Sequence, residues 1–177
     1  MTESRILFNG RYLRLIEHGS WEYAERTHAT SAVIIVAVTP EDRVVFVEQF
    51  RIPVGRRSIE MPAGLVGDLS PGEPLETAAM RELLEETGWR AARIEFLMQG
   101  PTSSGMSSEV VAFVRAHGLQ REHAGGGDET ENITVHEIAR AEAAAWLDAR
   151  RREGYAIDPK LYAGLYFLER NPDGSPA

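Results

Sequence analysis

The sequence predicts a mixed α/β sandwich preceded by a small antiparallel β extension. Strand-like runs come before, between and after one early helical segment, and two more helical segments come late. The run at 32–38 is strand-sized, apolar throughout and rich in β-branched residues, as a fully buried strand requires. This is not the strict alternation of a βαβ fold.

Taken in order, 6–17 and 21–26 read as two strands joined around Gly19. Strands over 31–38 and 43–50 follow, with Thr39-Pro40-Glu41-Asp42 as their hairpin connection. A short strand at 58–61 leads to a loop at 68–74. The first helix spans 74–87, with Pro74 near its first turn and Gly88 at the left-handed stop position. Strands at 94–98, 109–116 and 132–138 come next, the last two separated by the Gly125-Gly126-Gly127 loop. An alanine-rich helix at 140–153 stops at Gly154, and a third at 159–169 takes Asp158 as its N-cap. Residues 1–28 form the extension, 29–171 the main domain and 172–177 a flexible, frayed tail.

At 177 residues the chain fits one domain with a real core, and 43% hydrophobic with 26% charged residues is ordinary for a globular protein. There are no cysteines, which excludes disulfides, thiolate metal sites and a cysteine nucleophile. No apolar run approaches the ~20 residues of a membrane span, and the first residues lack a signal-like pattern. No membrane association and a cytoplasmic location are therefore expected. A net charge of -8 argues against a nucleic-acid partner. An anionic ligand approaching so acidic a chain would need divalent cations in its site.

The first helix carries the chemistry. On a 3.6-residue period Glu82, Glu85 and Glu86 share one flank, and Ala79, Met80, Leu83 and Leu84 the other. Carboxylates at i, i+3 and i+4 repel one another, so a cation belongs among them. Arg81 neutralises only part of that charge, and hard divalent cations prefer carboxylate oxygens. A solvated charged face is the usual meaning of such a cluster. Here the longer spacing argues otherwise: Gly67, five residues, Glu73, seven residues, then Arg81-Glu82-Leu83-Leu84-Glu85-Glu86-Thr87-Gly88-Trp89.

That spacing reproduces the Nudix signature, and the chain resembles the Nudix hydrolases. Further segments look like the ADP-ribose pyrophosphatase branch: Glu48-Gln49-Phe50-Arg51, Ile59-Glu60-Met61-Pro62-Ala63-Gly64, Gly10-Arg11-Tyr12, Trp21-Glu22-Tyr23 and Glu129-Thr130-Glu131-Asn132-Ile133-Thr134-Val135. The resemblance implies a Nudix-type α/β/α sandwich with a mixed sheet. It also implies Mg2+-dependent hydrolysis (Mn2+ being the alternative) of the pyrophosphate link in a nucleoside diphosphate compound. In that branch the signature glycine directly follows Pro-Ala, so Gly64 is taken as the structural glycine and Gly67 as an inserted residue.

Site residues follow from the helix and the resemblance together. Glu82 and Glu86 are expected as main metal ligands, Glu85 as ligand or bridge, and Arg81 as the group that orients them. The resemblance adds the Ala63 carbonyl and Glu131 to the metal set and Glu129 as general-base candidate, with the choice between Glu129 and Glu131 open. Arg51, at a strand end, suits a phosphate or the terminal ribose. Glu60, Gly64 and Glu109 fall on the substrate side, and Tyr12 and Trp21 match base-sandwiching aromatics. His136 sits in a strand pattern and reads as structural.

The resemblance makes ADP-ribose the leading candidate substrate, with AMP and ribose 5-phosphate as the expected products. The branch's marker proline before the substrate glutamate is replaced by Ser104, with Pro101 three residues earlier, so GDP-mannose and other nucleotide sugars stay open. A non-catalytic ADP-ribose-binding module usually carries an eroded acidic box, and an RNA-processing enzyme a basic stripe; neither is seen. A two-stranded extension is marginal alone, and in this branch it crosses to a second subunit, which implies a homodimer with N-terminal strand exchange.

Overall fold

The structure, a computed structural model, describes residues 3–29, 31–68, 70–127 and 132–177. The extension contains three strands, β1 (Arg5–Asn9), β2 (Leu13–His18) and β3 (Trp21–Arg26), in one antiparallel sheet. The expected single strand over 6–17 is therefore corrected to a hairpin. The turn between β1 and β2 opens at Gly10, which donates its N–H to the Leu13 carbonyl at 2.9 Å. A Cβ at Gly10 would crowd that carbonyl, so the turn depends on glycine.

The main domain continues with β4 (Ser31–Ala37), β5 (Arg43–Arg51), β6 (Arg56–Glu60), β7 (Ala63–Val66) and α1 (Leu75–Thr87). It then runs through β8 (Trp89–Arg90), β9 (Arg93–Pro101), β10 (Val110–His117), β11 (Gln120–Arg121) and β12 (Thr134–Ala139). A 3-10 turn at Arg140–Glu142 leads into α2 (Ala143–Arg152), then β13 (Ala156–Ile157) and α3 (Lys160–Glu169).

Two four-stranded sheets form the body, in the orders β7-β4-β10-β9 and β12-β5-β6-β13. Each is mixed: β4 runs parallel to β10 and β6 parallel to β13, while the other neighbours are antiparallel. β4 explains the sandwich. Its residues Val33, Ile35 and Ala37 pack with Ala78, Ala79 and Leu83 of α1, while Ile34 and Val36 pack with Leu147 and Leu161 of α2 and α3. A strand apolar on both faces is buried on both, and each such side chain contributes about 1.5–3 kcal/mol. The α/β/α sandwich with a mixed sheet and an N-terminal antiparallel sheet is the expected fold.

β7 was not foreseen. Pro62, which has no N–H for a ladder, ends β6, and the chain crosses to the other sheet, where the Pro62 carbonyl accepts from Ile35 N–H at 2.8 Å. The tail, expected to fray, folds back in the structure: Asn171 N–H donates to Ser175 O at 2.8 Å and Ala177 N–H to Glu169 O at 3.0 Å.

Gly88 ends α1 with φ 73°, its N–H donating to Leu84 O at 2.8 Å. Past it, the Gly125–127 run docks onto the same helix end. Gly126 and Gly127 donate to the carbonyls of Glu86 and Glu85 at 2.9 and 3.1 Å, supplying partners that a helix C-terminus lacks. The acidic helix is thereby tied to the late loop on which Glu129 and Glu131 were predicted.

Candidate active site

A cavity of about 900 Å³ opens between the two sheets, within the usual size range of small-molecule sites. Of the residues singled out from sequence, Arg51, Glu60, Ala63, Gly64, Glu82, Glu86 and Glu109 line it. Tyr12 and Trp21 do not: they are 65% and 59% exposed on the N-terminal sheet. Arg81 and Glu85 are not among its lining residues, and Glu85 is exposed at the surface. Glu129 and Glu131 lie outside the described residues.

The acidic helix meets β7 at one end of the cavity. Glu86, 3% exposed, accepts the Ala63 N–H at 3.0 Å. The Glu82 carboxylate fills the space that a side chain at position 64 would need, so Gly64 touches the acidic box directly. Arg81 ties the set together. It forks onto Glu73 with two 3.2 Å bonds and donates to Glu82 at 2.9 Å and Glu85 at 3.2 Å. Its bond holds the Glu73 carboxyl below the ordinary carboxylate range.

Burial pushes the Glu82 carboxyl up to about 7, more than Arg81 can offset, with Glu85 and Asp68 adding to the rise. A divalent cation replacing that proton would relieve both burial and repulsion, and hard oxygen donors suit such an ion. Among the described residues no three acidic or histidine side chains converge on one point. The donor set therefore fits a cation only with help from a backbone oxygen or water.

At the other walls, Arg51 forks onto Glu60, with bonds of 2.9 and 2.6 Å. Burial opposes the charge on Glu60, but the Arg51 bonds, helped by Ser58 and Lys160, hold its carboxyl below the ordinary range. Arg26, from β3, reaches Glu109 at 2.5 Å. The N-terminal sheet is anchored there by backbone bonds too, Ala24 N–H to Met106 O at 2.8 Å and Ser108 N–H to Ala24 O at 3.0 Å. His136 stays out of the cavity, joining Arg57 on the buried carboxylate of Glu48, as its strand position suggested.

Four charged lining residues were not among the candidate site residues: Arg26, Asp68, Asp158, expected only as an N-cap, and Lys160. Arg26 and Glu109 are 83 positions apart, and only the docking of β3 joins them. Lys160 did carry a signal, being the only lysine in the chain.

The fold and site together define a sandwich that presents a carboxylate-bearing helix to a cavity lined by charged and apolar side chains. The chain belongs to the NUDIX family: the NUDIX domain model matches residues 28–156. It is 32% identical over 170 residues to the ADP-ribose pyrophosphatase of Bacillus subtilis (strain 168), covering 92% of this chain and 88% of the relative. It is 34% identical over 170 residues, with the same coverage, to the methanol dehydrogenase activator of Bacillus methanolicus. A solved ADP compounds hydrolase shares the fold with a TM-score of 0.65 at 23% identity, over 82% of this chain and 80% of that one. The chain is accordingly a Nudix hydrolase, of the branch that includes ADP-ribose pyrophosphatases.

Proposed function

We propose that the protein hydrolyses the pyrophosphate link of a nucleoside diphosphate sugar, ADP-ribose first among them, to AMP and ribose 5-phosphate. The observation that carries this reading is the pairing of Glu82 and Glu86 on the inner flank of α1 at one end of a nucleotide-sized cavity. The likeness to the Bacillus subtilis ADP-ribose pyrophosphatase over nearly the whole of both chains supports the substrate.

Magnesium, with manganese as substitute, is the proposed cation, held by Glu82, Glu86 and the Ala63 carbonyl, with Glu85 and Glu131 as further ligands. Such an ion neutralises the charge that develops on phosphate oxygens. Arg81 keeps the carboxylates in register through its bonds to Glu82 and Glu85. Glu129 or Glu131 is the proposed base that takes the proton of the attacking water. Arg51, Glu60, Gly64 and Glu109 bind the substrate, and a cytoplasmic site of action goes with a nucleotide substrate.

We further propose a homodimer. The N-terminal sheet leaves Ile6, Phe8, Tyr12, Leu13 and Trp21 exposed, an apolar surface that a second copy would cover. Strand exchange would bring Tyr12 and Trp21 to the partner's cavity, where they would sandwich the base. Light scattering at micromolar concentration tests the assembly: a dimer mass is expected, and a monodisperse monomer would contradict it. A panel of nucleotide sugars with magnesium, products resolved by chromatography, tests the substrate. Cleavage of GDP-mannose much faster than ADP-ribose would overturn the first choice.

A further inference from the structure

Charge is distributed unevenly around the cavity. Among the described residues three cationic side chains line it, Arg26, Arg51 and Lys160, and each is held by a carboxylate that lines it too. The partners are Glu109 at 2.5 Å, Glu60 at 2.6 Å and Asp158 at 2.7 Å. The acidic end, with Asp68, Glu82 and Glu86, adds three further carboxylates to the wall. A phosphate moving toward any of the paired cations would also meet a carboxylate. Hydroxyl groups both donate and accept, so they are matched by such pairs at no net charge.

The Lys160–Asp158 pair is built for this more than the other two. Asp158 lies between β13 and α3, where its Oδ1 accepts the Lys160 N–H at 2.9 Å and its Oδ2 takes the ammonium. The aspartate therefore fixes both the backbone and the head of one residue. Lys160 lines the cavity, and of the three donors on its ammonium the contact with Asp158 Oδ2 takes one. Arg26 and Arg51 spend directed guanidinium bonds on their partners, Arg51 with both arms of its fork.

We propose that Lys160, oriented by Asp158, is a specificity-determining residue that donates to hydroxyls of the sugar beyond the diphosphate. This rests on the nucleoside diphosphate sugar reading given above. Asp158 is the positioning residue.

Because Lys160 is the only lysine, the labelling of one side-chain amine reads the contact. Wild-type protein is acetylated with acetic anhydride in EDTA, so that turnover is suppressed, and residue 160 is followed by mass spectrometry. ADP-ribose and ribose 5-phosphate at millimolar concentration are expected to slow its modification severalfold, and AMP and ADP to leave it unchanged. Equal slowing by ADP or AMP would overturn the proposal in favour of a phosphate or base contact. In parallel, kcat/KM is measured with magnesium for ADP-ribose and for the β-methyl ester of ADP, which lacks the sugar. Lys160→Met should lower the ratio of the two about tenfold or more, the scale of one lost charged hydrogen bond, with Lys160→Arg restoring part of it. A parallel fall on both compounds, or no change in the ratio, would overturn it. If wild-type protein hydrolyses neither compound, the proposed function fails. The labelling then decides alone: protection by ribose 5-phosphate supports the Lys160 contact and its absence refutes it.

Discussion

The Glu82 carboxylate occupies the volume that a side chain on Gly64 would take. Glycine at position 64 is thus what allows the acidic helix to close against β7. In Gly64→Ala the side chain of Glu82 must swing away, while the backbone around it stays. We expect a drop of about tenfold or more in kcat with a Tm change of only a few degrees, since an overpacked site usually costs about 1–3 kcal/mol. Unchanged activity in a folded Gly64→Ala protein would show that this contact has no part in the reaction.

Glu86→Gln separates charge from shape. The amide oxygen still accepts the Ala63 N–H, which Glu86 now holds at 3.0 Å, so the fold is expected to survive. Turnover should fall by at least about a hundredfold, the upper end of what even supporting groups of a metal site contribute. Near-normal turnover at saturating magnesium would sink the metal assignment.

The acidic helix was legible because its spacing places Glu82 and Glu86 on one flank, and a helix imposes that geometry locally. β4 was legible because its seven uncharged residues form a short run rich in β-branched side chains, which favours a buried strand over a helix. The break at Gly10 and the strand at Ala63–Val66 were harder to read. A four-residue strand after a proline shows no period, and its pairing partner in β4 lies about thirty positions away. Arg26, Asp158 and Lys160 reach the cavity only through sheet docking and the β6–β13 pairing, which no local pattern reports.

The Arg51–Glu60 fork makes stability depend on pH. Glu60 has a folded-state pKa below the ordinary value, so its stabilisation is present above about 4.5 and is lost as pH falls through the lowered value. Thermal melts of wild type and Glu60→Gln between pH 7 and pH 3 should converge as acid removes the advantage of the carboxylate. At pH 7 the variant should be less stable by about 1–3 kcal/mol, below the figure for a fully buried pair because Arg51 is 42% exposed. A constant difference across that range would contradict the assignment.

Gly88 joins the acidic helix to the late loop, and a side chain there meets two obstacles. Its φ is 73°, and a Cβ would overlap the His123 carbonyl, which is backbone and cannot step aside. Gly88→Ala should therefore cost about 2 kcal/mol or more in a denaturant titration, with activity falling alongside. A variant as stable as wild type would show that the loop does not need this close approach.

The pyrophosphate link as the bond broken is tested most directly by incubating the protein with ADP-ribose and magnesium and resolving the products. AMP and ribose 5-phosphate in equal amounts, formed by wild type and lost in Glu86→Gln, are the expected result. No cleavage by wild type, or release of ADP with free ribose, would contradict it.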